Sequence, residues 1–213
     1  GKGEVTLGLG DLDFARTVPA DHIVAATGLM QSPEVVLSRK QPERYNEAKT
    51  SDERVFIVEP EEAKRNDSSR TSVTKAWRFR AENVRDMALA SSRKFIWDAM
   101  VHKQDDEKTP EVLAMSFYPP EAELIWSKYS THAIVHTMDV YSRFSFPYPY
   151  PTSQSINTWK RGGMEYPMMT FNGYRPEPLE PEEDENGVAK IVENAPDETY
   201  SRRVKYGLIG VII

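Results

Sequence analysis

Apolar and polar residues alternate with a period of two over several stretches of the chain, the pattern of strands with one covered face. Residues 4–18 (EVTLGLGDLDFARTV) and 22–30 (HIVAATGLM) read as two strands, and Pro19-Ala20-Asp21 between them gives a hairpin-like signal. In 73–84 (VTKAWRFRAENV), Ala76, Trp77, Phe79 and Ala81 interleave with basic or polar partners, which predicts a further strand. Residues 87–102 (MALASSRKFIWDAMVH) predict two strands around Ser91-Ser92, and 112–118 (VLAMSFY) a buried strand stopped by Pro119-Pro120.

The period changes to a helical one in two places. The polar stretch 31–72 predicts short helices near 41–49 and 60–66. Residues 121–144 place Trp126, Tyr129, Ala133, Val140 and Phe144 on one stripe of a long amphipathic helix. Prolines 147, 149 and 151 bar helix beyond it. Short strands are expected at 155–160 and 164–172, flanking Arg161-Gly162-Gly163. The segment 173–198, with Pro176, Pro178 and Pro181 and the cluster Glu180, Glu182, Glu183, Asp184 and Glu185, reads as an exposed insertion, followed by a helix from about Asp197. The sum is a mainly β chain with some α, an α+β fold. The charged run 103–110 (KQDDEKTP) predicts a boundary between 1–103 and 104–213. Both ends read as cut: the chain starts without Met, and Leu208-Ile209-Gly210-Val211-Ile212-Ile213 has no capping residue after it.

Charge and composition narrow the function. With 27 Lys plus Arg against 33 Asp plus Glu, the net charge of -6 argues against a nucleic-acid partner held by phosphate neutralisation. There is no cysteine, so disulfides and thiolate metal sites are excluded. The apolar run Leu208 to Ile213 is far shorter than the roughly 20 residues of a membrane span.

Four features bear on chemistry. His132 and His136 stand four apart on the expected helix, so they would be neighbours on one face. A zinc-peptidase helix needs Glu directly after its first His, and Ala133 holds that place, which leaves packed or surface histidines or a metal pair without a third ligand. The acidic cluster lacks the spaced Asp/Asn pattern and central Gly of a calcium loop. Phe144, Phe146, Tyr148 and Tyr150 interleave with prolines, either as a structural loop or as a platform for a peptide or sugar. In Trp159-Lys160-Arg161-Gly162-Gly163-Met164-Glu165-Tyr166-Pro167, two glycines remove side chains where a peptide backbone could approach, and Glu165 follows as a carboxylate for a cation. The same residues also suit a bulge or a hairpin.

Gly162, Gly163, Met164 and Glu165 resemble the hallmark Gly-x-Met-Glu-Asn strand of the aminopeptidase N family of gluzincin zinc metallopeptidases, with Tyr166 where Asn is usual. Gly10-Asp11-Leu12-Asp13 with Val24-Ala25-Ala26-Thr27-Gly28 is similar to the end of that family's N-terminal β domain. Phe95-Ile96-Trp97-Asp98 resembles the strand leading towards its catalytic domain, and Phe146-Pro147-Tyr148 the loop before the hallmark strand. The resemblance implies that 1–103 is the tail of a β-sandwich-like N-terminal domain and 104–213 the opening β-rich half of a thermolysin-like catalytic domain. It implies substrate-binding roles for Gly162, Gly163, Met164 and Glu165 towards a peptide with a free N-terminus. Catalytic residues and metal ligands are implied to lie outside this sequence: the H-E-x-x-H helix and the zinc belong to a full-length parent, whose remaining catalytic domain is the second implied partner. The alternative is a non-catalytic peptide- or protein-binding module on a peptidase-derived scaffold.

Overall fold

The alternating segments become three sheets in the computed structural model, which describes residues 8–159 and 162–173. In chain order the elements are strands β1 (Gly10–Pro19), β2 (Ile23–Ala26) and β3 (Leu29–Gln31), helices α1 (Pro33–Val36) and α2 (Gln41–Ala48), strand β4 (Val55–Val58) and helix α3 (Pro60–Ser68). Strands β5 (Thr74–Val84), β6 (Leu89–Ser92), β7 (Ile96–Lys103) and β8 (Glu111–Tyr118) follow. A 3-10 turn (Pro120–Ala122) leads into α4 (Glu123–Phe144), and β9 (Thr152–Asn157), β10 (Gly163–Tyr166) and β11 (Met169–Asn172) complete the described part. The protein is mainly β with some helix, the α+β class expected from periodicity. The acidic residues from Glu180 to Glu185 and the helix expected from Asp197 lie outside the described residues.

Strand β5 shows how local pattern sets a face. Trp77, Phe79 and Ala81 are buried while Arg78, Arg80 and Glu82 are exposed, and β5 lies at the centre of the sheet β1-β5-β3. Strand β1 does not pair with β2, as the Pro19-Ala20-Asp21 signal suggested. It runs antiparallel to β5, with Phe14 opposite Phe79, while β2 pairs with β6. The turn is real, with the His22 N–H donating to the Pro19 carbonyl at 2.9 Å, but it redirects the chain to another sheet. Helices α2 and α3 both start with proline in the first turn, where its missing N–H costs nothing.

The third sheet has the order β10-β11-β9-β8-β7-β4. Strands β8 and β9 are parallel, so the chain must cross between them, and α4 makes that crossover. The charged run 104–110 is the turn of the β7–β8 hairpin, with Lys103 opposite Glu111, so strands on both sides of it share one sheet. One face carries Trp97, Met115, Phe117, Ile156 and Met169 into a core shared with Trp77 and Phe79 of β5 and Val24 and Ala26 of β2. The other face carries Met100, Val112 and Ala114 against Ile134 and Met138 of α4. The buried side of α4 runs through Trp126, Ser130, Ala133, Ile134 and Met138. It departs from the expected stripe at the C-terminal end, where Phe144 is 86% exposed.

Candidate functional site

The Gly-Gly segment ends at the rim of the six-stranded sheet. Gly163, Met164 and Glu165 are exposed on β10, which pairs only with β11 among the described strands. The register is Gly163 with Asn172, Met164 with Phe171, Glu165 with Thr170 and Tyr166 with Met169. One step further, the Gly173 N–H donates to the Gly162 carbonyl at 2.9 Å. Antiparallel pairs alternate between bonded and non-bonded residues. Met164 and Tyr166 therefore turn their backbone groups towards β11, and Gly163 and Glu165 turn theirs outward, to a side that no described strand covers. Gly162 has φ +99°, a conformation that side chains rarely adopt, and an added Cβ there would meet nothing within 4 Å. The first glycine thus sets the backbone direction at the start of β10.

The two faces of β10 differ. Tyr166 lies against Phe171 edge to face at 5.9 Å between ring centroids, on the apolar core side. Glu165 shares the opposite face with its pair partner Thr170, and the pairings continue that face through Ser155 on β9 to Ser116 on β8. Asn172 on the same face donates to the Ser155 hydroxyl at 2.6 Å. A line of small polar side chains thus leads from beneath α4 out to the carboxylate of Glu165. Among the described residues no cationic side chain forms an ion pair with Glu165.

A cleft of about 500 Å³ opens beside this rim, lined by Tyr141 and Phe144 of α4, Phe146 and Tyr148 of the following loop, and Tyr166 and Thr170. The proline-aromatic loop divides into two parts. Tyr148 packs against the core under α4 and meets Tyr150 edge to face at 5.8 Å. Its backbone is held by Gln104, whose amide donates to the Tyr148 carbonyl at 2.8 Å and accepts from the Tyr148 N–H at 3.0 Å. Phe144 and Phe146 instead face solvent. Nothing in the local sequence marks Gln104 as the anchor, because its partner is 44 residues away.

The histidines do not assemble a centre. His132 and His136 lie on the exposed side of α4, His22 contacts the Ser91 hydroxyl at 2.8 Å, and His102 is buried on β7. Among the described residues no group of three His, Cys, Asp or Glu side chains could hold a metal ion.

Asp98 on β7 is wholly buried. Burial pushes its carboxyl up to about 6, against hydrogen bonds from Thr131 and Tyr118 and the charge of Arg54. The Tyr118 hydroxyl donates to one oxygen at 2.5 Å, Thr131 donates to the other, and Thr131, Ser116 and Ser130 continue the chain of hydroxyls. The same burial and the neighbouring carboxylate push the Tyr118 phenol well up. This network fastens α4 to the sheet and has no exposed member.

The sequence matches no known family profile and no curated protein. The fold is similar to that of an M1 zinc metallopeptidase from Deinococcus radiodurans, with a TM-score of 0.50 and 14% identity over 77% of this chain and 30% of that one. A point mutant of a two-domain M1 zinc metallopeptidase bound to L-arginine is similar to the same extent, with a TM-score of 0.50 and 14% identity over 77% of this chain. The chain spans 30% of the length of these structures, and the likeness is one of fold alone.

Proposed function

We infer that the chain is part of an aminopeptidase-like zinc metallopeptidase and that β10 receives the amino-terminal end of a peptide as an added strand. The observation that carries this is the edge of β10, where Gly163 and Glu165 turn their backbone N–H and C=O groups outward and no described strand pairs with them. An extended peptide gains main-chain hydrogen bonds at such an edge without any match of side chains, which suits a substrate of varied sequence. Glu165 would take the ammonium of the first residue, and an ionised carboxylate facing an ammonium makes the stronger, charge-assisted kind of hydrogen bond. A similar structure carries a bound amino acid, L-arginine, which has such an ammonium. Residues 1–103 and 104–213 would correspond to portions of the two adjoining domains of the longer enzyme, joined through the β7–β8 hairpin. The described residues include no such group of metal ligands, and no step here runs through the metal. Their part is to bind and orient.

A second function, a peptide- or protein-binding module on the same scaffold, draws on the exposed Phe144 and Phe146 beside the cleft. It needs no free amine. Calorimetric titration with trialanine and with N-acetyl-trialanine separates the two. The expected result is tighter binding of the free-amine peptide by about tenfold or more, narrowed by Glu165→Gln, as loss of a hydrogen bond to a charged group costs roughly 1.5–3 kcal/mol. Equal affinity for both peptides, unchanged in the variant, removes Glu165 from the site and leaves the binding module.

A further inference from the structure

The loop between β10 and β11 is only two residues long, Pro167 and Met168. Two-residue hairpins favour turns with positive φ at the first position, because their twist matches that of the strands. Here the proline ring fixes the first φ as negative, and Met168 carries φ +62°. These are the signs of a type II turn, which splays strands and normally places glycine second. The hairpin therefore does not set the direction of β10 by its own geometry. A strained residue of this kind persists only where its surroundings hold it.

The surroundings do so from three sides. Thr27, 0% exposed, donates its hydroxyl to the Pro167 carbonyl at 3.1 Å and accepts from the Ala88 N–H at 3.0 Å. The Met168 side chain is buried against Ala81 and Val84, and its carbonyl accepts from the Gln154 N–H at 3.0 Å. The Gln154 side chain donates in turn to the Ala26 carbonyl at 2.8 Å. The segment that supplies Thr27 packs closely on β5: Gly28 has φ +100°, and a Cβ there would lie 2.5 Å from the Arg80 carbonyl oxygen.

We propose that Thr27 is a positioning residue for β10: its hydroxyl, with the buried Met168, holds the hairpin at the angle that presents Gly163 and Glu165 at the sheet edge. Thr27 lies 140 residues from Pro167 and touches no part of the outward face, so it acts through the strand. The proposal rests on the amine-binding role inferred above for β10 in its functional part, and on the clamp geometry alone in its structural part.

The test uses the full chain with Thr27→Val, Thr27→Ser and Met168→Ala. Amide hydrogen exchange is read at Met164 and Tyr166, whose N–H groups face β11, and at β7 and β8 as reference; trialanine binding is read by calorimetry. For Thr27→Val, which removes both the bond to the Pro167 carbonyl and the one from the Ala88 N–H, exchange at Met164 and Tyr166 is expected to quicken about tenfold or more, with trialanine bound about tenfold more weakly or beyond. Strands β7 and β8 are expected to stay unchanged, and Thr27→Ser to behave as wild type in both readouts. Should Thr27→Val fail to fold, Met168→Ala is expected to show the same local change and decides in its place. Unchanged exchange in β10, an equal rise in β7 and β8, or a serine variant that does not rescue overturns the clamp. A wild-type chain that binds no trialanine overturns the amine-binding role instead, and the exchange data then decide the clamp alone.

Discussion

At the centre of the six-stranded sheet, Asp98 lies wholly buried beneath α4 with both carboxyl oxygens taken by Tyr118 and Thr131; at its rim, Glu165 stands exposed with no ion pair among the described residues. Both are carboxylates on strands of the same sheet, facing the same side. What separates them is what their neighbours leave over. Around Asp98 every partner is internal, so the group serves to hold a helix. Around Glu165 the backbone turns away from β11, and no described strand takes up its hydrogen-bonding groups. A free strand edge is a liability unless it is used or guarded, and β10 is short, glycine-rich and charged.

The contrast can be broken first at the core. Trp97 is 2% exposed and stacks on Phe117 with ring centroids 5.0 Å apart. Trp97→Ala is expected to destabilise the chain by about 3–5 kcal/mol, the usual cost of removing a buried large aromatic side chain. Urea unfolding checks this; a loss below about 1 kcal/mol would mean that the sheet centre is not the principal core.

Asp98 comes next. Burial lifts its carboxyl from 3.8 to about 6, so the folded chain binds this proton more tightly than the unfolded one. The stability it contributes is therefore complete below about pH 4 and is lost as pH rises through about 6, on the order of 3 kcal/mol in all. Unfolding measured at pH 4 and pH 7 should show this decline in the wild type and a flatter profile in Asp98→Asn. Identical slopes would mean that Asp98 keeps an ordinary carboxyl despite its burial.

Glu165→Gln sharpens the other side. At an exposed rim position with no ion pair among the described residues, it should change stability by less than about 0.5 kcal/mol, while weakening the free-amine peptide as set out above. A clear drop in melting temperature would make Glu165 a structural residue like Asp98. The smallest effect is expected for His132→Ala and His136→Ala on the exposed side of α4, each within about 0.5 kcal/mol and with no change in zinc content. Loss of bound zinc in either variant would reveal a metal site that the described donors do not form.

Much of the fold was legible in the sequence because it depends on neighbours in the chain. The alternation of Trp77, Phe79 and Ala81 with charged residues gives β5 its buried face, proline in the first turn starts α2 and α3, and the prolines after Phe144 end α4. The Gly-Gly-Met-Glu run was legible as the start of a strand, but the turn at Pro167-Met168 that divides the single strand expected at 164–172 into the hairpin β10–β11 was not. The pairing of β1 with β5, the place of 104–110 as a turn inside one sheet, and the exposure of Phe144 were not legible, because periodicity names a face without naming what covers it. Nor could it show that Asp98 would be buried, that Gln104 would hold the aromatic loop, or that Thr27 would reach across 140 residues to the β10 hairpin. Those depend on which distant surfaces complement one another once chain entropy has been overcome, and only the assembled sheets decide that.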